Sequence, residues 1–330
     1  MRIFAYEHIT GGGMRDDPLA STFAPGGELL LRALVEDLAS ISGVEVVALI
    51  DSRLSIDLRA SIHRIGPADD FWAKFRQAAH DSEAVWPVAS ERGGTLERLT
   101  EEILGCGRTL LNSRPRSVRI AASKHATAAA LEAARVPIIP VFTSEGELPP
   151  QIEEVVVKPA DGAGCQDTFV LHSRDALRAW FHQHAASRWV VQQRVHGDAF
   201  SVSALFCEGR GRLLACNRQY VSEKEGRLHF QGVKVNARQD PDGRYRALVE
   251  QVARALPDLW GYAGVDFIDT EAGPLVLEIN PRLTTSYSGL RRALGINPAH
   301  MVLDLPDSLD DSFAPIRPIG RPVDVEVSHS

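Results

Sequence analysis

The stretch Ala263–Gly289, AGVDFIDTEAGPLVLEINPRLTTSYSG, constrains this chain more than any other. Two runs of apolar and β-branched residues, Gly264–Ile268 and Pro274–Ile279, flank Asp269-Thr270-Glu271-Ala272-Gly273. That pattern predicts a β-hairpin with a Gly-containing loop. Asp266 lies inside the first run, Glu278 falls twelve residues on in the second, and Asn280-Pro281-Arg282 follows. Acids inside an apolar hairpin are costly unless something pairs with them. Two carboxylates, an amide oxygen and a guanidinium therefore converge at one end of the hairpin. Oxygen ligands of this kind suit a hard cation, Mg²⁺, shared with phosphates. Arg282 adds a fixed positive fork for an anion. The competing reading is an ordinary strand pair with two edge acids and a turn.

The 330 residues leave room for two or three packed domains. A net charge of −7 gives no global basic field, so neither nucleic acid nor an acidic membrane is expected as a partner. No run of about 18 apolar residues occurs, so no transmembrane helix is expected. MRIFAYEHIT begins as a strand and lacks a signal-peptide pattern. Cys106, Cys165, Cys207 and Cys216 show no C-x-x-C spacing and read as reduced thiols of a cytoplasmic protein.

Strand-like Ile3–Tyr6, Val44–Ile50, Ala84–Ala89 and Arg108–Asn112 alternate with helical Gly26–Ile41, Asp70–His80 and Thr95–Leu104. This alternation predicts a parallel sheet with crossover helices over residues 1–114. Gly11-Gly12-Gly13 follows the first strand but is not G-x-G-x-x-G, and no helix opens directly behind it, which argues against a dinucleotide fingerprint. A loop at the carboxyl end of a parallel strand remains a good place for ligand; a surface turn is the alternative.

The pattern changes after Arg114. Ser123 can cap the Ala-rich helix Lys124–Arg135. EEVVVK, ending in Lys158, is a buried-type strand followed by the Gly-rich loop PADGAGCQDT. A lysine there can lie along a polyphosphate while loop N–H groups cover it, although the P-loop spacing is absent. Taken singly, Lys124 and Lys158 also read as solvated lysines. Trp189–Gln193 is a further strand, several antiparallel segments with Gly-rich turns follow, Asp242–Leu256 is helical, and Val323–Val327 is a last strand-like run.

The order of these pieces resembles the ATP-grasp superfamily over roughly residues 116–303. SKHATAAALEAARVPIIPVFT is similar to its first lysine segment, VVVKPADGAGCQDT to its second lysine and phosphate loop, VVQQRVHGDAFSV to its hinge, and GVDFID…LVLEINPRL to its metal hairpin. The resemblance implies an α/β fold in three parts. These are an N-terminal parallel-sheet (pre-ATP-grasp) domain over 1–114, a small central lid over 115–190, and a C-terminal α+β part with an antiparallel sheet over 191–330.

The resemblance also implies roles. Lys124 and Lys158 would hold the phosphates of ATP, and Gly162 and Gly164 would let the loop close over them. Gln192, Gln193 and Val195 would face the adenine edge. Asp198 would take the ribose, in place of an acid that many members carry where this chain has Ala199. Asp266, Glu278 and Asn280 would hold one or two Mg²⁺ (or Mn²⁺) ions. Arg282 would stabilise the developing charge, and Arg218 or Lys234 would stand beside the acylphosphate or the acceptor.

The implied chemistry is ATP-dependent joining of a small-molecule carboxylate to an amine through an acylphosphate. It asks for charge screening and exclusion of water rather than a protein nucleophile. Within the superfamily, FAYEHITGGG and EINPRLTTSY resemble the tyramine–glutamate ligase group of methanofuran biosynthesis. On that resemblance Glu7, His8 and Gly12 would line the acceptor pocket, with an ion pair at the core edge as the other reading of Glu7. Amino acid–amino acid ligation and a non-catalytic ATP-binding regulator are the alternatives. The sequence leaves the oligomer open, a homodimer included.

Overall fold

The computed structural model describes residues 1–17, 24–161, 165–184, 189–305 and 320–326. Two sheets organise them. The first has β1 (Arg2–Glu7), β2 (Glu45–Asp51), β3 (Ser61–Ile65), β4 (Ala84–Val88) and β5 (Thr109–Leu110), all parallel, in the order β3-β2-β1-β4-β5. Helices α1 (Ala24–Ala39), α2 (Phe71–His80) and α3 (Thr95–Gly105) cover both faces. Side-chain alternation decides which residue meets which helix. Ile3 and Ala5 pack with Leu31, Leu34 and Leu38 of α1, whereas Phe4 and Tyr6 pack with Phe71 and Phe75 of α2 and Leu99 of α3. β3 carries no signal in the sequence pattern because most of it is solvent-facing. The order reverses between β1 and β4, and crevices at such reversals receive ligands in open α/β sheets.

The chain then leaves this sheet through α4 (Pro115–Ala122) and α5 (Lys124–Ala133). Ser123 caps α5, accepting from the Ala126 N–H at 3.2 Å, which places Lys124 in the first turn. The second sheet runs β13-β12-β9-β10-β11-β7-β6-β8. Its strands are β6 (Val155–Pro159), β7 (Phe169–Leu171), β8 (Trp189–Gln193), β9 (Asp198–Cys207), β10 (Arg210–Lys224), β11 (Arg227–Arg238), β12 (Gly261–Thr270) and β13 (Gly273–Asn280). The last described strand, β14 (Val323–Glu326), pairs with β11. The neighbours in this sheet are antiparallel. β6, β7 and β8 form a small flap beside the large strands, and β7 meets β11 through one residue pair, Phe169↔Arg227. α6 (Arg174–Gln183) backs the flap, α7 (Arg244–Ala255) backs the large strands, and α8 (Tyr287–Leu294) and α9 (Pro298–Leu303) follow the hairpin.

One core joins the two sheets. Tyr287, Leu290 and Ala293 of α8 and Val302 of α9 are buried with Leu31 and Leu34 of α1. The expected hairpin is present, its first strand longer by two or three residues at each end and its second by one. It carries one irregularity, a register shift between Asp266↔Glu278 and Phe267↔Val276 that leaves Leu277 unpaired. No helix among the described residues is long and apolar enough to cross a membrane. All four cysteines are free thiols.

Candidate active site

A cavity of about 180 Å³ opens between the flap and the hairpin. Strand alternation supplies its walls. On the flap side Val156 and Lys158 of β6 lie opposite Gln192 and Val190 of β8, and Val156, Lys158 and Gln192 all line the cavity. On the hairpin side Asp266 and Ile268 of β12 face it, while Val265 and Phe267 enter the core under α7. In β13 the bulge sets Val276 and Ile279 toward that core and both Leu277 and Glu278 toward the cavity.

Four charged groups meet at the cavity's inner end. Lys124 and Lys158 are 6% and 8% exposed. Lys124 Nζ lies 3.7 Å from Glu278 Oε2. Burial, with the charge of Lys124 beside it, lowers the Lys158 pKa to about 8. Asp266 and Glu278 are cross-strand neighbours. Burial, reinforced by the Glu278 charge, pushes the Asp266 pKa up to about 8. Burial pushes Glu278 upward too, but Lys124, Lys158 and Arg282 outweigh it and hold that carboxyl below its ordinary range. Two carboxylates so close do not both ionise unless cations compensate them. The cluster therefore suits added positive charge at the acids and added negative charge at the lysines.

The donor set fits the groups that the sequence suggested. Gln192 is 1% exposed; its Nε2 donates to the Ile139 carbonyl at 2.8 Å, and its Oε1 is buried with no hydrogen-bond partner. A buried acceptor left open is expensive, and an exocyclic amine such as that of adenine would supply the missing donor. Among the described residues no three His, Cys, Asp or Glu side chains form a metal cage of their own. A cation here would share Asp266 and Glu278 with ligand oxygens, as Mg²⁺ commonly does. Asn280 donates Nδ2 to Asp266 Oδ2 at 3.2 Å and turns Oδ1 to Arg282 Nη2 at 3.4 Å. Its oxygen would have to flip to join a cation site.

A second cavity of about 130 Å³ adjoins the first, sharing Cys165, Gln219, Asp266 and Glu278 with it. Arg282 and the hydroxyl residues Ser201, Thr284, Thr285 and Ser286 line it. Behind that wall Tyr262 Oη meets Ser203 Oγ and Thr284 Oγ1, each at 2.9 Å, and Asn217 donates to Ser203 at 3.0 Å. Arg282 Nε donates to Glu91 Oε2 at 3.0 Å, and Nη1 donates to the Leu283 carbonyl at 3.1 Å.

The remaining expected residues divide between this cavity and other places. Gly162 and Gly164 lie outside the described residues. Gln193 and Val195 line the first cavity. Asp198 lines neither cavity; Arg218 at 2.9 Å and Arg238 at 3.4 Å hold its carboxylate. Arg218 likewise lines neither cavity. Lys234 lies 3.8 Å from Asp324 of β14 and also lines neither cavity.

Glu7 is 4% exposed and accepts from Thr10 N–H (2.8 Å), Thr10 Oγ1 (2.7 Å) and Ile9 N–H (3.2 Å). Burial raises its pKa, and those bonds and the charge of Arg282 pull it partly back. His8 Nδ1 lies 3.0 Å from Tyr6 Oη, and burial lowers its pKa to about 4. Gly12 has φ +81°, and a Cβ there would come within 2.3 Å of Ile65. This loop is packed tightly against its own domain. His8 also lines a separate cavity of about 280 Å³ with Arg15, Trp72 and Arg98.

Sequence reasoning missed Glu91 and Gln219. Glu91 contacts Arg282 across 191 positions of chain, and no local pattern reports such a contact. Gln219 lines both cavities with Asp266, but it lies in a strand whose outer half is exposed and reads as broken segments.

Comparison with known proteins bears on the family and the fold. A family profile for the ATP-grasp domain matches residues 121–286, and one for the pre-ATP-grasp 3 domain matches residues 44–118. The first spans half of the chain, which belongs to the ATP-grasp family. Tyramine–L-glutamate ligase from Methanocaldococcus jannaschii is 29% identical over 204 residues, covering 62% of this chain and 57% of that protein. The ligase of the same name from Methanocaldococcus fervens is 34% identical over 104 residues, covering 31% and 33%. The chain thus matches little more than half the length of one curated relative and a third of the other. A crystal structure from Archaeoglobus fulgidus, assigned to the ATP-grasp superfamily, superposes with a TM-score of 0.72 at 19% identity over 92% of this chain and 88% of that one. An L-amino acid ligase from Bacillus licheniformis gives 0.68 at 16% identity, over 96% and 77%. At these identities the two structures speak for the fold.

Proposed function

We propose that this protein is an ADP-forming ligase that uses Mg-ATP (or Mn-ATP) to join a carboxylate to an amine. One observation carries the reading. Buried Lys124 and Lys158 meet the partly buried Asp266 and Glu278 in one cavity, which the open Gln192 acceptor also lines. Asp266 and Glu278 would hold the divalent cation, which would supply charge screening for the phosphate oxygens.

The chain's own residues would do the rest. Gln192 Oε1 accepts from the adenine amine. Lys124 and Lys158 neutralise the phosphate oxygens. Arg282, in the adjoining cavity, receives the negative charge that develops as a phosphoryl group passes to the acid and as the amine then attacks the acylphosphate. The hydroxyl wall of Thr284, Thr285 and Ser286 is polar enough for a small charged acid.

The matches to two tyramine–L-glutamate ligases support glutamate, through its γ-carboxylate, and tyramine as the first pair to try, which would place the product in methanofuran biosynthesis. The fold shared with an L-amino acid ligase makes two amino acids the second pair. The test is product analysis with Mg-ATP over a panel of acids and amines. ADP and phosphate should form only when both substrates are present, and hydroxylamine should trap the activated acid. AMP and pyrophosphate as products would overturn the acylphosphate route. ADP binding without turnover on any pair would favour a regulator on the same fold.

A further inference from the structure

We propose that Glu91 is a positioning residue for Arg282, so that the N-terminal sheet supplies a working part of the site in the other half of the chain. The inference rests on the ligase reading above, in which Arg282 meets the transferred phosphoryl group. Glu91 sits just past the end of β4, at the reversal point of the first sheet. Its side chain is 7% exposed and that of Arg282 is 15% exposed. An arginine so deeply held needs its charge compensated and its donors used. Burial opposes its charge, but Glu91, ahead of Glu278 and Asp266, more than restores it, and the guanidinium pKa is raised.

The donors divide by side. A guanidinium has five N–H groups in a rigid plane. Nε is spent on Glu91, one Nη1 hydrogen on the Leu283 carbonyl and one Nη2 hydrogen on Asn280. Two N–H groups remain, one on each terminal nitrogen, and Arg282 lines the second cavity. A carboxylate on Nε fixes the plane of the group and so the direction in which those two N–H groups point. Asn280 and Leu283 come from the hairpin's own neighbourhood. Glu91 is the partner from the first sheet, so any shift of that sheet relative to the hairpin moves Arg282. Glu7, held by its own loop a strand away, adds a second buried carboxylate whose pKa feels the Arg282 charge.

The experiment is a double-mutant cycle with two readouts. Glu91→Gln should lower kcat by roughly 10–100-fold, the scale of a misplaced reacting group. The affinity for ADP, which Arg282 does not touch in this reading, should stay within about twofold. Glu91→Asp, which keeps the charge one methylene short, should recover part of the loss. In an Arg282→Ala background Glu91→Gln should have no further effect on kcat. Equal losses in both backgrounds, or undiminished turnover of Glu91→Gln, would overturn the inference.

The second readout needs no turnover. Inorganic phosphate, titrated into protein holding Mg-ADP, should bind at least fivefold more weakly to Glu91→Gln than to wild type. Equal phosphate affinity, or none in wild type, would likewise overturn it. Wild-type protein that turns over no acid–amine pair would sink the ligase reading while the phosphate titration still judges Glu91.

Discussion

Two carboxylates, the buried Glu7 and the partly buried Glu278, show what separates a residue that builds a loop from one left facing a cavity. Glu7 spends its oxygens on Thr10 and Ile9, three residues away at most. Glu278 leans on charges from distant segments: Lys124 on a helix, Lys158 on the flap and Arg282 beyond the hairpin. The same contrast holds for neutral groups. His8 is tied to Tyr6, whereas Gln192 keeps a buried oxygen with nothing to accept from. Saturated polar groups hold a fold; buried groups left open, or balanced only by like-buried charges, keep a place for something else. The Glu7–Gly13 loop therefore reads as scaffold, and the flap–hairpin cavity as the working site.

That contrast can be broken at three points. The largest effect is expected at Glu278. Glu278→Gln should cut turnover about 10³-fold, the scale of losing a group aimed at developing charge. The thermal midpoint should fall modestly, because Lys124 and Lys158 lose the carboxylate that compensates them. Steady-state kinetics beside a melting curve checks both, and undiminished turnover would show that the cluster has no catalytic role.

A smaller effect, on stability, belongs to His8. In the unfolded chain His8 takes a proton near its ordinary pKa of 6.5; in the folded chain it stays neutral down to about 4. The unfolded state thus binds more protons between those values, and stability falls as the solution is acidified from about pH 6.5 to 4. The loss is at most about 3.4 kcal/mol. Denaturant midpoints at pH 7 and pH 4.5 should diverge in wild type and converge in His8→Gln. A slope that survives the substitution would assign the acid lability to another group.

The smallest effect is expected at Gln192. Gln192→Met removes the open acceptor and should weaken ADP binding about tenfold, near 1.4 kcal/mol, the size of one buried hydrogen bond. Calorimetry decides it; unchanged affinity would mean that Oε1 does not meet the nucleotide.

Much of the site was legible because local rules place it. Apolar runs located both hairpin strands, and the Ser123 cap and the Val155–Lys158 run set the two lysines at an element's edge. What the sequence hid depends on contacts between remote segments or on surfaces without an apolar pattern. β3 is mostly exposed, and β10 and β11 run as 15- and 12-residue strands although alternation marked only fragments of them. Arg218 and Lys234 lie opposite each other in that pair, as a basic patch would suggest, yet Asp198 and Asp324 claim them. Those acids come from β9 and β14, and only the folded sheet brings them near.

The unpaired Leu277 has a consequence for how this hairpin tolerates change. Losing one residue from a strand ordinarily turns every later side chain to the wrong face. Here Val276 and Ile279 point to the core while Leu277 and Glu278 point to the cavity. Removing Leu277 would leave Val276, Glu278 and Ile279 in plain alternation, each on the side it already occupies. The backbone would gain regularity, the acid would keep its place, and the cavity floor would lose one apolar contact. Length variation at this position is thus nearly silent to folding and is felt by whatever rests on that floor.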